Sequence, residues 1–217
     1  MRTFTFTHPH RRAHFNHFRA MANPHFGVTV DVDVTELRRV ARASPTLRFT
    51  PAVVYLVTRA ALEVRPLRWR IRGEEIVEHG NLRPSWAVPT QVKGAFSFCT
   101  VTYDADPVAF HAAAVEETAR MQEQPSFEDE PGADDYLFLS SFPWATFTSI
   151  THAMPGPPGD SVPRLVWGKH YERDGKTWMP LAVQAHHAVV DGSDLGAYYG
   201  VMKRLLGEVD KIFSDFL

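Results

Sequence analysis

The residues His186-His187-Ala188-Val189-Val190-Asp191-Gly192 set a pair of imidazoles just ahead of an Asp-Gly turn, at the end of the largely apolar run from Met179 to Ala188. A neutral imidazole titrates near pH 6.5, so it can take a proton from a hydroxyl and return it to a thiolate leaving group. Ser193 to Leu206 reads as a helix, which places the pair where a strand runs into a turn, and functional side chains gather at such places. By itself the short pattern is better read as two satisfied interior histidines. Nor does the four-residue offset of Asp191 guarantee that its carboxylate reaches the His187 ring. Covalent catalysis is not indicated: no Gly-x-Ser-x-Gly elbow is present, and Cys99, in the strand-like run Phe96 to Tyr103, has no evident base and reads as a buried thiol. A different chemistry, metal binding or sensing, would use His10, His14 and His17, which fall at i, i+4 and i+7 of a first helix. No acidic ligand stands at a supporting spacing for it.

Elements of both kinds must position these groups. The spacing predicts helices over Pro9–Met21 and Thr35–Ala43, then a third that opens with Thr50 as N-cap and Pro51 at its first position and runs through Val53, Val54, Leu56, Val57, Ala60, Ala61 and Leu62. Further helices are predicted from about Pro107 to Gln122 and from about Asp194 onward. Strands are predicted at Val28–Val32, Leu67–Ile71, Glu75–His79, Ala95–Tyr103, Tyr136–Ser140, Leu165–Tyr171 and Thr177–Ala185, with Arg72-Gly73-Glu74 as a hairpin turn. Gln124 to Asp135 is acidic and rich in breakers, a solvated loop with a small allowance for metal binding. Strands interleaved with helices indicate an α/β sandwich or α+β domain.

Composition narrows the function classes. At 217 residues and 44% hydrophobic content the chain suffices for one well-buried domain, residues 1–217, and is short for two. A net charge of −2 gives no electrostatic footprint for nucleic acid or an anionic membrane. Met1 to Thr7 carries no apolar signal core and no apolar run is long enough to span a bilayer, so a cytoplasmic protein is expected. One cysteine cannot form an internal disulfide.

The run Trp178 to Gly192 resembles the active-site segment of the chloramphenicol acetyltransferases, trimeric enzymes that acetylate an antibiotic hydroxyl with acetyl-CoA. Pro143-Trp144-Ala145-Thr146-Phe147-Thr148-Ser149 resembles that family's Pro-Trp-x-x-Phe-x-Ser segment, and His10-Arg11-Arg12-Ala13-His14-Phe15 its first-helix signature. Gly168-Lys169, Pro51 to Leu56 and Leu67-Arg68 fall in register as well, so the likeness covers nearly the whole chain. It implies a CoA-dependent acyltransferase fold, a two-layer α/β (α+β) sandwich with a mixed sheet, assembled as a homotrimer with active sites between subunits. It implies acetyl-CoA as co-substrate, no metal, and a small hydroxylated acceptor as the other partner.

Site roles follow from the same likeness. His187 becomes the general base, with His186 structural. Ser149 becomes the hydroxyl donor to the tetrahedral oxyanion. Asp191 pairs with Arg11 of the first helix to fix the loop bearing the histidine; Arg11, Phe15 and Phe18 share one helix face, which allows an inward Arg11. Phe18, Phe26 and Phe96 line an aromatic acceptor pocket, with Thr146 and Val166 beside it. Departures gather on the acceptor side: Val166 stands where many members have a threonine, Pro9 replaces a tryptophan, and the loop Met154 to Pro163 is stiffer and less aromatic. Acyl transfer to a different acceptor therefore stays open, as does the dihydrolipoyl acyltransferase type, which shares the His-x-x-x-Asp-Gly pattern but normally carries upstream domains for which this chain has no room.

Overall fold

The computed structural model describes residues 1–128, 130–156 and 159–217; Asp129 of the acidic loop, and Pro157 and Pro158 of the proline-rich loop, lie outside the described residues. A mixed sheet organises the chain. Its strands are β2 (His25–Asp33), β5 (Arg83–Pro89), β6 (Phe96–Thr100), β7 (Tyr136–Phe142), β8 (Arg164–Gly168) and β10 (Lys176–His186), in the order β2-β10-β8-β7-β5-β6, with β9 (Tyr171–Arg173) paired to β10. β5–β7 and β7–β8 are parallel and the other pairs antiparallel. A smaller antiparallel sheet joins β1 (Arg2–Phe4), β4 (Glu75–Glu78) and β3 (Trp69–Arg72), its hairpin turned by Gly73 at φ 60°. The helices are α1 (Pro9–Arg19), α2 (Thr35–Ala43), α3 (Phe49–Glu63), α4 (Pro107–Glu123), α5 (Gly192–Gly207) and α6 (Val209–Ile212).

β10 carries the site and is buried on both faces, which is why its sequence reads as nearly continuous apolar residues rather than alternation. Met179, Leu181, Val183 and Ala185 join the core with buried side chains of α3 and α5 such as Val53, Val57, Leu195 and Met202. Pro180, Ala182, Gln184 and His186 occupy the opposite face, because successive strand residues alternate sides. The segment after β7 covers that face: a Cβ added at Gly168 would meet Phe147 and Pro180 at 2.7 Å, and His152 N donates to Gln184 Oε1 at 3.0 Å. This two-layer mixed architecture matches the expected class.

Several expectations shift. Thr50 is not an N-cap, since α3 begins at Phe49 with Arg48 preceding it, and the free Arg48 N–H is taken up by His111 Nε2 of α4 at 2.8 Å. β5 was not foreseen, because Pro84 and Pro89 argue against a central strand; Pro84 is tolerated opposite Leu137, where its carbonyl still accepts from Val101 N at 3.2 Å. The acidic loop is more than solvated. Asp134 takes Arg72 and His79 at 2.7 and 2.8 Å, Asp135 takes Arg83 at 2.6 Å, and the fully buried Arg70 donates to the Asp134 and Tyr136 carbonyls. Among the described residues no group of three or more His, Cys, Asp or Glu side chains could hold a metal ion. Among the described residues no helix is long and apolar enough to cross a membrane.

Candidate active site

A set of backbone hydrogen bonds holds the turn 187–191 between β10 and α5. His187 N donates to Pro24 O at 2.9 Å, and Val189 N and Val190 N both donate to His186 O at 3.1 Å. Ala188 N donates to His186 Nδ1 at 3.2 Å, so the first histidine of the pair props the turn from below. The His187 ring faces the Val190 carbonyl with Nδ1 at 3.1 Å. A carbonyl can only accept, so Nδ1 carries the proton and Nε2 keeps its lone pair. One ring face stacks on Phe18 of α1, with centroids 4.0 Å apart and planes 19° from parallel, and Phe26 of β2 lies 4.3 Å away. Two of the predicted acceptor-site aromatics therefore meet the predicted base.

Asp191 and Arg11 do not pair as expected. Asp191 is the N-cap of α5: its Oδ1 accepts from Ser193 N at 2.7 Å, Ser193 Oγ at 2.6 Å and Asp194 N at 3.3 Å, while Asp194 accepts from Asp191 N at 2.9 Å to complete a capping box. The Ser193 hydrogen bond, foremost, holds the Asp191 carboxyl below its ordinary value. Arg11 reaches the same turn by another route. Its Nη1 donates to Ala188 O at 2.9 Å and lies 2.8 Å from His14 Nδ1, Nη2 makes a long contact to Val189 O at 3.5 Å, and the guanidinium stacks 3.9 Å over Phe6. The reason is local: helix capping turns Asp191 Oδ1 to the donors of Ser193 and Asp194, and the acceptors that Arg11 meets are the Ala188 and Val189 carbonyls and His14 Nδ1. Both residues still fix the histidine turn, from opposite ends.

The remaining predicted residues lie apart from His187 within one chain. Phe96 is 45% exposed on β6, four strands from β10, which is roughly 19 Å at about 4.8 Å per strand. It clusters with Phe98 and Phe127 at 5.8 and 5.2 Å. Thr146 and Ser149 are exposed on the segment after β7, which is pinned by Lys169 N to Ala145 O at 3.1 Å and flanked by Trp144, 75% exposed. Val166 is buried on β8 beside Ala182, on the face that the segment covers. Cys99 is buried, and burial pushes its thiol up to about 12, consistent with an inert side chain. Of two grooves, one of about 790 Å³ runs along β2 and α5 past Tyr199 and Gly200, and one of about 360 Å³ reaches His186; neither is lined by His187.

Two further groups gain surroundings that sequence reasoning did not assign; it read His14 only as a metal-ligand candidate and as part of the first-helix signature. His14 stands 5.7 Å from His187 by ring centroids; its i+3 spacing from Arg11 was a usable signal. A cationic patch joins Arg38 and Arg42 of α2 with Lys169 and His170 after β8. Burial and then the two arginines lower the His170 titration, and Arg38 Nη1 is buried without a hydrogen-bond partner among the described residues. These charges are far apart in sequence, so only the fold brings them together.

The family model for chloramphenicol acetyltransferase matches residues 2–203. A chloramphenicol acetyltransferase of Bacillus pumilus is 25% identical over 208 residues, covering 95% of this chain and 94% of the relative. A solved chloramphenicol acetyltransferase structure superimposes with a TM-score of 0.77 at 27% identity, over 90% of this chain and 94% of that one. The structure of a probable dihydrolipoamide acetyltransferase from Listeria monocytogenes superimposes with a TM-score of 0.70 at 16% identity, over 91% and 89% of the two chains, and shares the fold. With the family model matched over nearly the full length, the chain belongs to the chloramphenicol acetyltransferase family, a family of acetyltransferase enzymes.

Proposed function

We propose that this chain transfers an acetyl group from acetyl-CoA directly to a hydroxyl of chloramphenicol or a similar small acceptor, with His187 as the general base. One observation carries the reading: His187 Nδ1–H donates a hydrogen bond to the Val190 carbonyl, which leaves the Nε2 lone pair free on a ring clamped by Phe18. The acceptor hydroxyl gives its proton to Nε2 as its oxygen bonds to the thioester carbonyl carbon. The carbonyl electrons move to oxygen, and the Ser149 hydroxyl donates to that oxyanion. The intermediate collapses with cleavage of the carbon–sulfur bond, and the imidazolium returns the proton to the CoA thiolate. Ester and free CoA leave, with no acyl-enzyme.

The distribution of residues supports a homotrimer with shared sites. Ser149, Thr146 and the Phe96 cluster are exposed and lie away from His187, so a neighbouring copy is the natural supplier of the acceptor wall, with Phe18 and Phe26 contributed beside the base. The patch of Arg38, Arg42, Lys169 and His170 supplies cations for the phosphates of CoA. The 217 residues act in this reading as one catalytic domain. Chloramphenicol is favoured as acceptor by the names of the relatives, and the aromatic lining suits it; Val166 and the 154–163 loop are where a different acceptor would be selected. The dihydrolipoyl alternative rests on shared fold alone.

The test is release of CoA thiol from acetyl-CoA with chloramphenicol as acceptor, in the wild type and in His187→Ala. Saturable turnover that falls about 10²- to 10⁴-fold in the variant supports the base and the acceptor. Acetyl-CoA binding without turnover would remove chloramphenicol as acceptor, and an unchanged rate in the variant would remove His187 as base.

A further inference from the structure

We infer that His14 is a positioning residue for His187, acting through Arg11 on the turn that carries the base. This rests on the reading of His187 given above. Arg11 Nη1 has two protons and two partners, His14 Nδ1 at 2.8 Å and Ala188 O at 2.9 Å. An arginine N–H always donates, so His14 Nδ1 must accept and its own proton sits on Nε2. The guanidinium makes no ion pair within 4.0 Å among the described residues; its aim depends on neutral acceptors and on Phe6. Of those acceptors, His14 is the one side chain. Ala188 O and Val189 O, which Arg11 holds, belong to the residues between His187 and Val190, and Val190 O is what fixes the His187 tautomer.

Without an acceptor at position 14, Arg11 is drawn toward Asp191 and Asp194, the carboxylates nearest to it. Those groups are already engaged in the capping box of α5, so the turn would lose the tether at Ala188 while its far end is disturbed. Phe18 reinforces the arrangement: it lies 4.7 Å from His14 and 4.0 Å from His187, so the two imidazoles share one aromatic neighbour. The groups facing His14 are Arg11 and His10 from α1, and His187 and Asp191 from the turn. Burial first, then Arg11 and His187, lower the His14 titration from the usual histidine value, which favours the neutral ring whose Nδ1 accepts from Arg11. A proton on that nitrogen would oppose a fixed guanidinium and release it.

The full chain is tested as His14→Leu and His14→Asn, the amide oxygen of asparagine standing in for Nδ1. His14→Leu is expected to lower kcat about 10- to 100-fold with KM for acetyl-CoA little changed, as misplacement of a reacting group does, and His14→Asn to restore most of the loss. The acid limb of log kcat against pH should be steeper in wild type than in His14→Asn, because one of its two protonations disappears. Histidine ¹⁵N spectra give a readout independent of turnover: His187 holds the single Nδ1–H tautomer in wild type and His14→Asn, and samples both in His14→Leu. A leucine variant with wild-type kcat and a single His187 tautomer overturns the inference, as does an asparagine variant no better than leucine. Absence of turnover in wild type, with the tautomer pattern as expected, would instead overturn the acetyl-transfer reading and leave this one standing.

Discussion

Asp191 offers the sharpest contrast between two physical roles, because Asp191→Asn and Asp191→Ala separate them. As an N-cap it accepts from Ser193 N, Ser193 Oγ and Asp194 N, and asparagine caps a helix about as well as aspartate. Asp191→Asn should then cost only the charge interaction with the helix N-terminus, about 0.3 to 1 kcal/mol. Asp191→Ala loses the cap itself, about 0.5 to 2 kcal/mol, while Asp194 continues to accept from the backbone N–H of residue 191 at 2.9 Å. At about 2 to 4 °C per kcal/mol for a chain of this length, the asparagine variant should melt within about 4 °C of wild type and the alanine variant about 1 to 8 °C lower. A buried Asp191–Arg11 ion pair would behave otherwise: either substitution would strand Arg11 at about 3 to 5 kcal/mol. The assay is thermal and urea unfolding followed by circular dichroism at one protomer concentration, since association raises apparent stability. Equal losses above about 3 kcal/mol in both variants would refute the capping account. Acid adds a sign check. The folded carboxyl titrates below its ordinary value, so its contribution is present above about pH 4 and is lost as pH falls further through the depressed folded value, a loss that Asp191→Asn should not show.

Ser149→Ala should lower kcat about 10²- to 10³-fold with KM for acetyl-CoA and the melting temperature nearly unchanged, since Ser149 is exposed and makes no side-chain hydrogen bond within the described chain; wild-type kcat in that variant would remove it as the oxyanion donor. Gly168→Ala would set a Cβ 2.7 Å from both Phe147 and Pro180, so the segment bearing Ser149 must shift; a loss of about 1 to 3 kcal/mol in unfolding free energy together with reduced turnover is expected, and an unshifted unfolding curve would show that Phe147 does not seat there.

Elements whose signal is local were legible. α1, α2, α4 and β10 fall within a few residues of their predicted bounds because apolar spacing and prolines at helix starts act over one or two turns. β5 was invisible because its prolines are tolerated only through pairing with β7 and β6, and β1 because three residues carry no period. In the site, Phe18 and Phe26 lie against His187 of the same chain. The fate of Arg11 was not legible: a carboxylate four residues past a histidine looks like the obvious partner for an arginine, yet the start of α5 claims it first. Pairing rules for charges see the two side chains, whereas the winner here is the set of unpaired backbone N–H groups at a helix N-terminus.

The choice between His186 and His187 can be made on geometry without any family likeness. The two leave the end of β10 on different sides. His186 is 4% exposed, beside His25 at 5.0 Å, and its Nδ1 lone pair is already used by Ala188 N. Burial, then His25, depress its titration to about 4, so it is a weak base at neutral pH as well as an occupied one. His187 is half-buried, its Nδ1 proton is committed to a carbonyl, and its Nε2 has no partner among the described residues. A general base needs an available lone pair and a ring that does not turn when the proton arrives. Only the second histidine meets both conditions, and it does so because the first is spent on holding the turn beneath it.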